Sequence, residues 1–159
     1  MTKKKINLIE FIEKQNKTIF TSAFSGEELE YEKNELSELF IHKMLYFAYG
    51  YFYAKFNKEL FADANFQAWK YGPVEIDVRE KFKNNKKISG IKKFNIEINE
   101  KEEQFLKRII KNLLNFSTWK IVDLSHFTAP WKNNFKADSP WEEIPNDEIK
   151  KYFIKNKYV

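Results

Sequence analysis

The clearest pattern along the chain is a recurrence of apolar residues at three- and four-residue spacing: Leu36, Phe40, Met44, Phe47, Tyr51 and Ala54. It predicts a helix from Asn34 or Glu35 to about Phe56. A second stripe, Ile41, Leu45, Ala48 and Phe52, leaves the later half of that helix apolar nearly all round. A helix without a polar face has to be enclosed by the rest of the fold. Gly50 interrupts the pattern at about 1 kcal/mol relative to Ala, which points to the close approach of another helix. Asn57 is the expected stop.

Shorter elements surround this one. Ile6, Ile9 and Ile12 predict an opening helix from about Lys5 to Lys17, after which Thr18 to Gly26 has no assignable period. Tyr71, Gly72 and Pro73 break the chain. Pro73 is then placed at the first position of a new helix, with Glu75 in its first turn and Val74, Val78 and Phe82 on its inner face. A turn at Ser89 and Gly90 leads to a short strand in which Phe94, Ile96 and Ile98 alternate with polar residues. Asn99 and Glu102 have capping-box spacing, and the helix behind them carries Phe105, Leu106, Ile109, Ile110, Leu113 and Leu114 inward. Ser117 or Thr118 caps a further helix from Trp119 to about Phe127. Thr128 to Ile144 is expected as an ordered loop held down by Trp131 and Trp141. A last helix from about Asn146 turns Ile149, Tyr152 and Phe153 inward.

The expected architecture is mainly α: a compact single-domain helical bundle built round the long central helix (about 35–56), with a small β element. Residues 1–33 are assigned to an N-terminal extension with a helix, and residues 34–159 to one packed unit. A chain of 159 residues with 43% hydrophobic and 18% aromatic side chains has ample material for a single core.

Charge and cysteine content narrow the function classes. With no cysteine there is no disulfide framework, thiolate metal site or cysteine nucleophile, which fits a reducing compartment. Met1 to Glu10 lacks the apolar core of a secretion signal, and the apolar run Met44 to Ala54 is shorter than the roughly 20 residues of a membrane span. A cytoplasmic protein without membrane attachment is expected. The net charge of +5 invites a nucleic-acid reading. Its strongest carrier is the acid-free stretch Lys81 to Lys93, with Lys83, Lys86, Lys87, Lys92 and Lys93 as phosphate contacts. A solvated face is the commoner role of such a run, and a helix C-terminus accounts for part of it.

Catalytic equipment is sparse. The two histidines are His42, with no carboxylate, His or Cys apparent at ligand spacing beside it, and His126, which follows Asp123 by three residues and Ser125 by one. Asp123 and His126 share a helix face, the beginning of a hydrolase. No nucleophile motif or phosphate-cradling glycine loop accompanies them. Trp69, Trp119, Trp131 and Trp141 could stack on bases, but buried tryptophans that hold loops are the commoner case. No metal site and no cofactor are expected.

The run His42 to Gly50, the pair Leu60-Phe61, the block Phe66 to Val74, the triplet Leu124-Ser125-His126 and the pair Pro130-Trp131 follow one another in a recognisable order. In this the chain resembles the Panacea domain family, the SocA-like antitoxins or phage-associated proteins, over roughly Leu36 to Tyr152. The block Ala68-Trp69-Lys70-Tyr71-Gly72-Pro73-Val74 is the most specific part. Ser125 stands where the family pattern has Thr, which keeps the hydroxyl.

The resemblance implies a bacterial or phage-encoded antitoxin that neutralises a co-encoded toxin by direct contact, in a family some of whose members deliver the toxin to a protease. It makes Tyr46, Trp69, Tyr71, Gly72, Pro73, Val74, His126, Pro130 and Trp131 the partner-binding candidates, with no catalytic residue among them. A DNA-binding regulator of its own operon is the second reading, and a small hydrolase using His126 and Asp123 the third.

Overall fold

The computed structural model describes residues 2–23, 36–84 and 91–156, with side chains throughout except at 17–23. The chain is mainly α with two small sheets. At its centre lies α2 (Glu38–Phe56), started by the Ser37 hydroxyl, which accepts from the Phe40 amide, and stopped by Asn57 in the left-handed conformation at φ 54°. Every residue from Phe40 to Gly50 is buried, as its two apolar stripes require. The helix starts later than the expected Asn34 or Glu35, because Ser37 is extended at φ −67° and ψ 156° and its hydroxyl caps the first turn.

What surrounds α2 is a mixture of helices and strands. It packs on α7 (Asn146–Lys155), α4 (Glu100–Leu113) and α5 (Thr118–His126), and equally on β3 (Gly72–Glu75), the second strand of a hairpin begun by β2 (Phe66–Trp69). β5 (Glu142–Ile144) joins the other edge of β2, with Phe66 opposite Glu75 on one side and Ile144 on the other. The second sheet pairs β1 (Lys3–Asn7) with β4 (Asn95–Asn99), both antiparallel, Ile6 facing Ile96. Gly50 is where α7 comes close: a Cβ there would lie 2.1 Å from the Phe153 ring, which itself meets Tyr46, Phe47 and Tyr51 edge-on.

Several local expectations change. Lys5 to Asn7 belong to a strand, because the main-chain partner supplied by β4 outweighs the helical spacing of Ile6 with Ile9; the helix α1 (Leu8–Ala23) starts only afterwards and takes in residues 18–23 of the unassigned stretch. Pro73 does not open a helix. It sits in β3 beside Ala68, and α3 (Ile76–Lys83) begins three residues later with Glu75 as its cap, the carboxylate accepting from the Asp77 and Val78 amides. The stretch Thr128 to Ile144 contains a short helix, α6 (Ala129–Asn134), and β5, where a loop was expected. Trp141 is 59% exposed and does not pin it. The capping box at Asn99 and Glu102 forms as read, both hydrogen bonds being present. The turn at Ser89 and Gly90 lies outside the described residues. Among the described residues no helix is long and apolar enough to cross a membrane.

Candidate functional site

The hairpin turn at Lys70 and Tyr71 is held from two directions. From below comes α2. His42, almost fully enclosed, accepts the Glu75 amide at Nδ1 over 3.1 Å, so its proton resides on Nε2 and is donated to Glu38 at 2.9 Å. Burial pushes His42 below its ordinary value, consistent with this neutral tautomer. Burial raises the Glu38 carboxyl, but the His42 hydrogen bond and the Arg79 guanidinium, at 2.7 and 2.8 Å, outweigh it and hold the group below its usual range. Lys43 is completely buried and donates to the Pro73 carbonyl at 3.1 Å. With no carboxylate bonded to it, burial pushes its ammonium down to about 7.

The next turn of α2 reaches the α5–α6 junction. Thr128 gives its hydroxyl proton to the Ser125 carbonyl at 2.7 Å, so Tyr46 must be the donor in its own 2.7 Å bond to the Thr128 oxygen. From above, α5 and α6 clip onto the hairpin through two successive carbonyls. Trp131 Nε1 donates to Trp69 at 2.8 Å, and His126 Nε2 donates to Lys70 at 3.1 Å. The two rings stack on one another with centroids 4.1 Å apart, and Trp131 continues the stack onto Phe135 at 4.7 Å. Tyr71 meets Trp119 edge-to-face at 5.5 Å.

This arrangement sorts the candidate residues. Tyr46, Gly72, Pro73, Val74 and Pro130 are buried and act as framework, so none of them offers its side chain to a partner in this conformation. Trp69, His126 and Trp131 are half-buried, and Tyr71 is 47% exposed. The turn also borders a cavity of about 500 Å³ reached by Glu38, His42, Trp69, Tyr71 and Arg79.

Four residues escaped the sequence reading. Trp119 is 59% and Phe127 69% exposed, so Trp119 does not serve as a loop-holding indole. The signal was there: Ile121, Val122 and Ser125 are the buried positions of α5, and Trp119 shares the opposite face with Lys120 and Asp123. Lys43 was missed because nothing in the sequence marks a lysine as enclosed. Glu38, one turn before His42, is the carboxylate partner that the sequence reading overlooked.

The competing chemistries find less support. His126 spends Nε2 on a backbone carbonyl, and Ser125 is enclosed and bonded to the Val122 carbonyl at 2.7 Å, so the His126–Asp123 pair has no assembled nucleophile. Burial pushes His126 below its ordinary value. Among the described residues no group of three or more His, Asp and Glu could hold a metal ion. Of the proposed phosphate contacts, Lys83 and Lys92 are exposed. Lys93 is not available, because it is clamped between Glu75, Asp77 and the Asp63 carbonyl. Lys86 and Lys87 lie outside the described residues.

A family model described as "Antitoxin SocA-like, Panacea domain" matches residues 41–132, more than half of the chain. The chain belongs to this SocA-like antitoxin family. No curated protein and no solved structure matches it. The Panacea match is narrower than the stretch Leu36 to Tyr152 read from the sequence. It contains the whole hairpin, α5 and both residues that clip them together, His126 and Trp131. α7, whose Phe153 fills the space above Gly50, lies beyond the matched Panacea span.

Proposed function

We propose that this Panacea-domain protein is an antitoxin that neutralises a co-encoded toxin by direct contact, using the face formed by the hairpin turn and α5. The observation that carries the reading is the exposed Tyr71–Trp119 pair, seated on a backbone fastened by Trp131 and His126. Large aromatic groups held rigid before binding lose little conformational freedom on association, and such groups supply most of the energy of protein interfaces. Trp69, His126 and Trp131 are half-buried beside that pair, while the buried candidates hold the backbone in shape. The work done is binding: the site has polar groups that hold backbone, and none poised on a reacting atom.

Co-expression with the product of the neighbouring gene tests the proposal. Growth rescue together with a stable purified complex is the expected result. Rescue that persists without any physical complex would remove direct contact as the mechanism.

A further inference from the structure

On the other side of α5 from Tyr71 lies a second surface. A groove of about 490 Å³ opens between α2, α4, α5 and α7, floored by Phe47, Tyr51, Ile109, Leu113 and Leu124. Its rims are Phe116 and Phe127, 37% and 69% exposed. Among the described residues no charged side chain lines it, and its polar groups are those of Tyr51, Asn112, Thr128, Tyr152 and Asn156. Charge begins just outside. Arg108 is one turn from Asn112 on α4, Lys155 one turn from Tyr152 on α7, and the Lys132 ammonium lies 5.6 Å from the centre of the Phe127 ring. Among the described residues the nearby acids are Asp123, one turn before Phe127, and Glu148, which is half-buried and accepts from Asn134 at 3.1 Å.

We propose that this groove takes an amphipathic helix of the toxin, its apolar stripe laid on Leu113, Leu124 and Phe127 and its flanks acidic. The proposal rests on the antitoxin reading and gives the partner a chemistry. An apolar trough walled by helices suits apolar anchors recurring at three- and four-residue spacing. The basic rim sets the sign of the flanks, since complementary charge guides docking and like charge penalises it. The same rim disfavours a second copy of this chain: in a two-fold dimer the patch meets a copy of itself, which sets one basic rim, Arg108, Lys132 and Lys155, against another.

The test uses the full chain and the purified toxin encoded beside it. Phe116→Ser with Phe127→Ser changes exposed positions, so the melting temperature should stay near that of the wild type while toxin affinity falls by roughly 30-fold or more. The triple reversal Arg108→Glu, Lys132→Glu and Lys155→Glu should weaken binding by about tenfold and flatten its dependence on salt. Hydrogen exchange on the toxin should show protection of an acidic amphipathic helix. Wild-type affinity in both groove variants, with binding lost in Tyr71→Ala and Trp119→Ala, would overturn the groove and leave the antitoxin reading standing. Protection of a basic or extended toxin segment would also overturn it. So would a concentration-dependent dimer of the chain alone that Phe127→Ser dissociates without loss of toxin binding. A wild-type chain that binds no toxin removes both proposals together.

Discussion

Lys43 and Gly72 meet beneath the hairpin. Gly72 has φ +106°, a conformation that side chains rarely adopt, and a Cβ there would lie 2.5 Å from Ser125 Oγ and 2.7 Å from Lys43 Cε. Gly72→Ala should therefore destabilise the fold by about 1–3 kcal/mol through strain and overpacking, measured by urea denaturation. Lys43 makes stability depend on pH. The folded chain gives up the Lys43 proton near pH 7, whereas the unfolded chain keeps it to its ordinary value of 10.5. In that window the unfolded state binds more protons, so raising the pH favours folding. Above about pH 10 the buried tyrosines act in the opposite sense: Tyr46 and Tyr49, whose values burial raises, keep protons in the folded state that the unfolded state releases. The expected outcome is that wild-type stability gains on Lys43→Met between pH 7 and 10, read from paired melting curves. A constant difference across that range would contradict it.

At the scale of elements, two devices set the ends and spacing of helices. The Asn99 side chain and the Glu102 carboxylate each satisfy a free amide at the start of α4, and Glu102 also takes an ion pair from Lys58 at 3.0 Å. Asn99→Ala should lower stability by about 1 kcal/mol, seen as a lower urea midpoint with unchanged slope. The second device is Gly50, which lets α7 lie against α2. Gly50→Ala drives a methyl into the Phe153 ring and should cost about 1–3 kcal/mol. The same change on an exposed helix would stabilise it by roughly 1 kcal/mol. The sign of the measured change in melting temperature therefore reports whether α7 is seated.

For the molecule as a whole, α5 separates two surfaces, with the Tyr71–Trp119 pair on one side and the Phe116–Phe127 rims on the other. Neither pair is needed to close the core, which is built from α2 and the elements around it. Tyr71→Ala with Trp119→Ala should leave the melting temperature within a few degrees of wild type. Loss of neutralisation in the growth assay should accompany a fall in toxin affinity of at least tenfold, about 1.4 kcal/mol. A variant that folds and protects cells as well as the wild type would place the contact elsewhere.

Periodicity by itself was enough to place α2, α4, α5 and α7. Their apolar stripes, with the capping residues Asn57, Asn99 and Ser117, are local properties that any packed context preserves. The order of motifs from His42 to Trp131 was likewise sufficient to name the family. Strand pairing was not legible. β1 needs β4 across more than 80 residues and β2 needs β5 across more than 70, and a main-chain hydrogen bond leaves no mark on the side-chain pattern of either partner. For the same reason Pro73 passed for the first residue of a helix. The candidate site divides along this line: its residue types were visible in the Trp69 to Val74 block and in His126 and Trp131. Which of them reach the surface, and that Lys43 lies in the core while Trp119 and Phe127 lie outside it, depends on contacts distant in sequence, and only the tertiary fold decides those.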